Sequence, residues 1–242
     1  MRIFRKTSPI AAVLALLGLA ASLVVPAAAG ASTPPAIAYS GAKTSAHVCP
    51  GPTQPGTARC HALIRTDVGA KPNAAGGPAG YGPSDLQSAY ALPSSTAGAG
   101  AMVAIVDAYD DPDAENDLAV YRSQYGLPPC TTANGCFQKV NQSGAASPLP
   151  NPSGSWSEEI SLDLDMVSAV CPNCRILLVE ANSNQLTDLG AAVNAAASLG
   201  ARAISNSYGG SEFSSEANYE SAYYNHPGLA VTASSGDSGY GV

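Results

Sequence analysis

Four apolar runs of strand length, each ending in polar residues, constrain the fold of this chain more than any other feature. They lie at residues 102–108, 176–181, 203–208 and 229–234. None of them alternates between apolar and polar residues, as a strand with one exposed face would. Each run therefore predicts a strand that is buried on both faces, which is typical of parallel sheets.

Between these runs the sequence predicts helices. The helical patterns cover residues 113–125, 158–170, 186–199 and 214–225. Strands that alternate with helices indicate an α/β fold with a mainly parallel sheet. In open sheets of this kind, ligands bind at the carboxyl ends of the strands. Three of these ends are polar, and two are rich in glycine: residues 107–111, 205–210 and 234–239.

The N-terminal 31 residues have the composition of a secretion signal. Arg2, Arg5 and Lys6 precede a nearly unbroken apolar run over residues 10–25, and small residues follow at 27–31. An uncleaved anchor is the alternative, but the run is short for a membrane span. We therefore expect a secreted, extracellular protein with no stable membrane anchor after cleavage. Loss of these residues lowers the formal net charge from −7 to −10, which disfavours nucleic acid as a partner.

The remaining chain divides by composition into two parts. Residues 32–80 are rich in Ala, Gly, Pro, Ser and Thr and predict an extended N-terminal segment or a short pro-segment. Residues 81–242 carry the α/β pattern and are predicted to form one domain.

All six cysteines follow the predicted signal and fall into three local pairs: Cys49 with Cys60, Cys130 with Cys136, and Cys171 with Cys174. In an exported protein, three short-loop disulfides are the simplest interpretation, although six cysteines allow 15 connectivities. The spacing of Cys171 and Cys174 also fits a redox dithiol or half of a zinc site. No second pair of that spacing completes a zinc site, and we expect no metal.

Acid–base chemistry in the middle of the chain would have to use carboxylates. The three histidines are His47, His61 and His226, so none lies between residues 62 and 225. Glu159 and Asp163 stand four apart in a predicted helix and therefore share one face. Two carboxyls held together repel each other, so one keeps its proton to higher pH. On composition alone, a solvated acidic helix face is the more ordinary interpretation.

Asp237 lies in the turn Ser235-Gly-Asp237-Ser-Gly239, directly after a predicted strand. A carboxyl there can cap the next element or, when protonated, donate a hydrogen bond to an oxyanion. Residues 236–239 of this turn also match the Gly-Asp-Ser-Gly nucleophile motif of chymotrypsin-like proteases. The alternation of strands and helices, however, does not fit the two-barrel fold of those enzymes. The lipase pattern Gly-x-Ser-x-Gly and a dinucleotide fingerprint are absent.

Taken together, Glu159-x-x-x-Asp163, Ser205-Asn-Ser-Tyr-Gly-Gly210 and the turn around Asp237 resemble the sedolisin family, the serine-carboxyl peptidases. The resemblance covers roughly residues 81–242. It implies a subtilisin-like three-layer fold and endopeptidase activity on polypeptides at acid pH, in a protein that we expect to be a monomer. The subtilisin family proper fits less well because its histidine motif is missing. Asp107, which would match the catalytic aspartate of that family, is interpreted as a structural residue at a strand end.

The resemblance also implies roles for individual residues. Glu159 would be the general base, Asp163 would orient it and share its proton, and Asp237 would be the acid of the oxyanion hole. The substrate backbone would pair with Ser207, Tyr208, Gly209 and Gly210 by strand addition. The primary substrate pocket would be walled by Ser234, Ser235 and Gly236.

The sequence departs from the family pattern at the nucleophile. The family's serine stands in Gly-Thr-Ser, and these 242 residues contain no such tripeptide. We therefore expect a domain truncated at its C-terminus and inactive by itself. The family's calcium site would lie in the missing part, and no other cofactor is expected. The alternative from another class is a secreted, non-catalytic module, or relic, that binds peptides on the same scaffold.

Overall fold

The structure is a computed structural model that describes residues 45–49, 51, 53–66 and 80–236. The predicted signal over residues 1–31 and the predicted oxyanion residue Asp237 lie outside the described residues. The strands are, in chain order, β1 (Ser45–His47), β2 (Arg59–Cys60), β3 (Leu63–Arg65), β4 (Met102–Ala108), β5 (Phe137–Asn141), β6 (Arg175–Ala181), β7 (Ala203–Asn206), β8 (Tyr208–Gly209) and β9 (Ala230–Ala233). The helices are α1 (Pro83–Ala89), α2 (Ala114–Gln124), α3 (Gly154–Val170), α4 (Leu186–Ser198) and α5 (Glu216–Tyr219), which continues into a π-helical turn over Glu220–Tyr224.

The centre of the fold is a five-stranded sheet in which every pairing is parallel. The strand order is β5-β6-β4-β7-β9. The predicted fold class, α/β with a mainly parallel sheet, is confirmed, and the architecture is consistent with a subtilisin-like fold. Two short antiparallel pairs lie outside this sheet: β1 with β3, and β2 with β8.

The pleat of the strands sorts their residues between two cores. In β4, Ala104 and Val106 face the core that contains Leu189 and Val193 of α4. Ile105 between them belongs to the opposite core, whose helical residues come from α2 and α3: Ala114, Leu118, Ile160 and Leu164. Helices therefore cover both faces of the sheet and form three layers. Because successive side chains point to opposite faces, Asp107 shares the α3 side with Ile105.

The apolar runs place the central strands well, but β9, in the run at 229–234, ends the sheet and is mostly exposed, contrary to the predicted burial on both faces. The run at 102–108 coincides with β4, and the run at 176–181 differs from β6 by one residue. The run at 203–208 breaks after Asn206, because Tyr208 and Gly209 leave the sheet and pair with β2 instead. Strand β5 was not predicted, since its centre, Gln138 and Lys139, interrupts the apolar pattern. The helix predicted over 214–225 is divided into a short α-helix and a π-helical turn.

The three local cysteine pairs are disulfides: Cys49–Cys60, Cys130–Cys136 and Cys171–Cys174. The interpretation of Cys171 and Cys174 as a structural bond is therefore supported over a zinc half-site. The first disulfide fixes the stretch that carries β1, β2 and β3. These strands lie in the segment 32–80, for which the sequence predicts only an extended chain.

Within the described ranges, no helix combines the length and the apolar character that a membrane crossing requires. Three disulfides are consistent with a protein that folds in an oxidising compartment.

Candidate active site

Three carboxyl groups meet on the α3 side of the sheet, at the carboxyl end of β4. Asp107 is the penultimate residue of β4, and Glu159 and Asp163 lie on adjacent turns of α3. We call Asp107, Glu159 and Asp163 the carboxyl cluster. All three are buried, with exposed fractions of 0%, 2% and 8%. The alternative interpretation, a solvated acidic helix face, therefore holds for Glu158, which is exposed, but not for Glu159 and Asp163.

Glu159 and Asp163 each accept a hydrogen bond from outside their helix. Glu159 Oε2 accepts from the backbone N–H of Ala62 at 2.6 Å. Asp163 Oδ1 accepts from the hydroxyl of Ser207 at 2.7 Å, and its Oδ2 has no hydrogen-bond partner among the described residues. The pair is thus held between the N-terminal segment and the strand predicted to bind substrate.

Asp107 is the most deeply buried member of the cluster. Neither of its carboxyl oxygens has a hydrogen-bond partner in the described part of the chain. Burial raises the pKa of Asp107 well above its usual value, and the nearby charges of Asp163, Glu159 and Glu180 raise it further. Asp107 therefore favours its neutral, protonated form. The sequence suggested a structural role for Asp107, but the fold places its carboxyl beside the predicted acid–base pair.

Burial also raises the pKa of Asp163, to about 6, although the hydrogen bond from Ser207 lowers it in part. The negative charges of Glu159 and Asp163 also disfavour ionisation of Asp107. The cluster therefore keeps protons in mildly acidic solution and titrates as a unit. A group of carboxyls that holds protons in this range can take up and release protons, which is what general acid–base catalysis requires.

The strand predicted to bind substrate, β8, pairs with β2 along one of its edges. Arg59 and Cys60 of β2 run antiparallel to Gly209 and Tyr208 of β8, and the carbonyl of Ser207 accepts from the N–H of His61 at 3.3 Å. The backbone of β8 therefore pairs with an extended segment of the same chain, and its pairing with a substrate stays a prediction.

The side chains of this edge have other partners. Ser207 donates to Asp163, while the hydroxyl of Tyr208 donates to Asn206 Oδ1 at 2.8 Å. Tyr208 is buried and packs near the ring of Trp156. These two side chains therefore have partners inside the fold, and the backbone of β8 pairs with β2.

A cavity of about 800 Å³ adjoins this edge. Its lining includes Gly209 and Gly210 together with Ser234, Ser235 and Gly236, the residues that the resemblance assigns to a primary substrate pocket. The lining also includes acidic and aromatic residues from the region of α5 and the π-helical turn: Glu212, Phe213, Glu216, Tyr219, Glu220 and Tyr224. The sequence offered no signal for these residues, because the pattern did not assign their helix to a site.

A second charged group lies near the carboxyl end of the sheet and was also missed. Lys139 Nζ lies 2.5 Å from Asp110 Oδ1 and 3.6 Å from Glu180 Oε1. Glu180 Oε1 also accepts from the backbone N–H of Asp111 at 2.9 Å. Burial raises the pKa of Glu180 to about 8, although Lys139 opposes the shift. This group ties β5 and β6 to the loop after β4 and has a structural explanation.

Asp237, the predicted acid of the oxyanion hole, lies outside the described residues, the last of which is Gly236. Among the described residues no group of histidine, cysteine or carboxylate side chains is arranged to hold a metal ion.

Comparison with known proteins gives only a distant likeness. No family model matches the chain, and no curated protein matches it. Among solved structures, it is similar to Pseudomonas sedolisin, a serine-carboxyl proteinase complexed with two molecules of pseudo-iodotyrostatin. The sequence identity is 19% and the TM-score is 0.42, over 52% of this chain and 34% of the sedolisin chain. The chain thus matches about a third of that protein's length, and the roles of its residues must be argued from its own geometry.

Proposed function

We propose that this chain carries the acid–base and substrate-binding parts of a secreted serine-carboxyl endopeptidase that cleaves polypeptides in acid. The observation that carries the proposal is the carboxyl cluster, three buried carboxyls beside an edge strand that can pair with a peptide. A histidine-free acid–base group has to be buried and crowded to hold protons usefully, and these carboxyls are.

In this proposal Glu159 takes the proton of the nucleophile. It is chosen because its carboxylate accepts a hydrogen bond from Ala62, in the extended segment that pairs with β8. Asp163 orients Glu159 and exchanges a proton with it. The hydroxyl of Ser207 holds the carboxyl of Asp163 in place by donating a hydrogen bond to it. Asp107 sits behind the pair as a largely protonated neighbour. The assignment of Asp237 to the oxyanion hole rests on its sequence motif alone.

A second candidate is a peptide-binding module without catalysis. One structural observation favours it: the edge of β8 pairs with an extended strand without any catalytic group taking part in that pairing.

The two candidates are separated by an assay and a sequence. The DNA on both sides of these 242 codons shows whether a Gly-Thr-Ser segment belongs to the same polypeptide. We expect the 242-residue chain to hydrolyse no peptide, and the polypeptide with that segment to cleave unfolded protein substrates best below pH 6. Products should be identified by mass spectrometry between pH 3 and 9.

Matched variants make this test specific to the cluster. Glu159→Gln should lower kcat by at least about 100-fold, since general-base catalysis contributes about that much. Glu158→Gln, an exposed neighbour on the same helix, should leave kcat unchanged. Cleavage that peaks above neutrality, or that survives Glu159→Gln, contradicts the proposed peptidase.

A further inference from the structure

Residues 53–62, which we call the strap, lie along the edge proposed to bind substrate. The hydroxyl of Thr53 accepts from the N–H of Ser211 at 2.9 Å at one end. In the middle, β2 pairs with β8. At the other end, His61 donates its N–H to the carbonyl of Ser207, and Ala62 donates to Glu159 Oε2 at 2.6 Å. The strap therefore spans the edge and ends on the proposed general base.

The fit between the strap and the edge is close. A Cβ added to Gly210 would lie 2.6 Å from the carbonyl oxygen of Thr57, so the edge accepts this backbone only because residue 210 is glycine. A Cβ on Gly209 would lie 2.8 Å from His61 Cε1. Each glycine is thus in contact with the strap, as expected of a surface that takes an extended peptide.

The side chains of the strap alternate between two environments. Ala58, Cys60 and Ala62 point inward and are buried, with exposed fractions of 0%, 0% and 6%. Thr57, Arg59 and His61 alternate with them and line the 800 Å³ cavity. The imidazole Nδ1 of His61 lies 2.7 Å from the hydroxyl of Ser234. Only small residues take the inward positions, whereas longer polar ones take the outward positions.

We infer that the strap is a tethered pseudosubstrate: it occupies the peptide site of its own chain, and the site selects extended peptides with small side chains at alternate positions. The inference rests on the proposed function in treating the occupied edge as a substrate site. The occupancy itself rests on the contacts of the strap alone. A free peptide must displace the strap before it can pair with β8 or approach Glu159.

Covalent attachment makes the strap a strong competitor. The Cys49–Cys60 disulfide anchors it, and Cys49 is itself buried. Asn184 clamps the inward side, because its carbonyl accepts from the N–H of Ala58 at 2.8 Å and its side chain donates to the Ala58 carbonyl at 2.6 Å. A short tether gives an effective concentration of about millimolar, which a dilute peptide does not match.

The test measures binding of a peptide to the full chain, so it does not depend on catalysis. The probe is a fluorescein-labelled peptide with the sequence of residues 53–62 and the change Cys60→Ser, and the readout is fluorescence anisotropy. We compare the wild-type chain with Ala62→Pro, which lacks the N–H donated to Glu159, and with Ala62→Gly, which keeps it. Ala62→Pro should bind the probe at least about 10-fold more tightly than the other two chains.

A second pair of variants acts on the tether and leaves the edge untouched. The double variant Cys49→Ala, Cys60→Ala removes the anchoring disulfide and keeps the inward residue small. The double variant Cys130→Ala, Cys136→Ala removes a disulfide outside the strap and serves as its control. Only the first should gain affinity for the probe. This pair decides the question if Ala62→Pro does not fold.

The probe itself carries the test of selectivity. Replacing the inward residue by Ala58→Leu in the peptide should weaken its binding to the released chains at least about 10-fold. The outward change Arg59→Leu should weaken it by less than about 3-fold.

Three results would overturn the inference: equal binding to all folded variants, no binding to any of them, or equal losses for the two changes in the peptide. If the released chains bind the probe with the expected selectivity while the Gly-Thr-Ser-containing polypeptide cleaves nothing, the inference stands and the proposed peptidase fails.

Discussion

Glu158 and Glu159 are adjacent in the sequence but have opposite environments. Glu158 is exposed, whereas Glu159 is 2% exposed and lies in the carboxyl cluster. One residue along a helix turns the side chain by about 100°, which here separates solvent from the sheet. The four-residue spacing to Asp163 predicted a shared face, and the pleat of β4 then added Asp107 to the same side. A single rotation about the helix axis thus decides which carboxylate can take part in chemistry.

Ser207 tunes this cluster, and its removal gives a prediction at the scale of one residue. Its hydroxyl donates to Asp163 and lowers the pKa of that carboxyl, which burial raises to about 6. In Ser207→Ala the pKa of Asp163 should therefore rise further. The variant should also lose about 1–3 kcal/mol of stability above that pKa, because a buried charged acceptor loses its donor. Carbon-13 NMR titration of the side-chain carboxyls and urea unfolding at pH 8 measure the two effects.

The control is Ser211→Ala, in which the residue is exposed and contributes a backbone N–H to the strap but no side chain to the cluster. It should leave the Asp163 titration unchanged. An unchanged or lower pKa of Asp163 in Ser207→Ala would show that the hydroxyl is not its donor in solution.

At the scale of elements, α4 depends on a close contact with the π-helical turn. A Cβ on Gly190 would overlap the ring of Tyr223, starting at Cγ. In a helix interior alanine normally stabilises relative to glycine by about 1 kcal/mol. Here the gain is expected to be outweighed, because Tyr223 and the π-helical turn that carries it would have to move. We predict that Gly190→Ala destabilises the chain by about 1–3 kcal/mol, as typical of overpacking.

Gly154 provides the matched comparison. It opens α3, and a Cβ there would meet nothing within 4 Å. Gly154→Ala should be neutral or stabilising, by up to about 1 kcal/mol. Both variants can be compared by urea unfolding at one pH. If Gly190→Ala is as stable as Gly154→Ala, the ring of Tyr223 does not pack against Gly190 in solution.

The sequence predicted the elements well where burial is uniform. An apolar run such as 102–108 leaves little choice, since a chain with no polar face must be covered on both sides. Prediction was weaker for β8 and for the strap, because each is too short and too polar to show a period. Their pairing depends on residues about 150 positions apart, and no local pattern records such a contact.

At the scale of the whole molecule, the buried carboxyls make stability depend on pH in an unusual direction. Burial is the main cause that raises the pKa of Asp163 to about 6, of Asp165 to about 7 and of Glu180 to about 8, and it raises that of Asp107 as well. A carboxyl whose pKa is higher in the folded chain binds protons more tightly there. Its contribution to stability is complete below its unfolded pKa, near 4, and is lost as the pH rises through the folded pKa.

We therefore predict that the free energy of unfolding falls between pH 4 and pH 8. Asp163 alone contributes roughly 2–3 kcal/mol of this change, at about 1.4 kcal/mol per pKa unit. The negative net charge adds repulsion in the same direction. Urea denaturation across this range, followed by tyrosine and tryptophan fluorescence, gives the curve.

Asp107→Asn tests the origin of the slope. An amide of the same shape cannot ionise, so the loss of stability at alkaline pH should be smaller than in the wild type. Glu158→Gln should reproduce the wild-type curve, because its carboxyl is exposed. A stability that rises from pH 4 to pH 8 would mean that the folded cluster does not hold the protons assigned to it.

The sequence by itself determined the parallel sheet and the helix that carries Glu159 and Asp163, and it favoured the three local disulfides. These features follow from local physics: apolar runs must be buried, residues four apart share a helix face, and nearby cysteines can close short loops. Only the tertiary structure decided that Asp107 joins the pair and that the strap covers the edge of β8. Both features depend on which distant parts of the chain are brought within a few ångströms of each other. The apolar pattern of a sequence determines how its strands and helices stack in layers, but it does not determine which polar groups then meet.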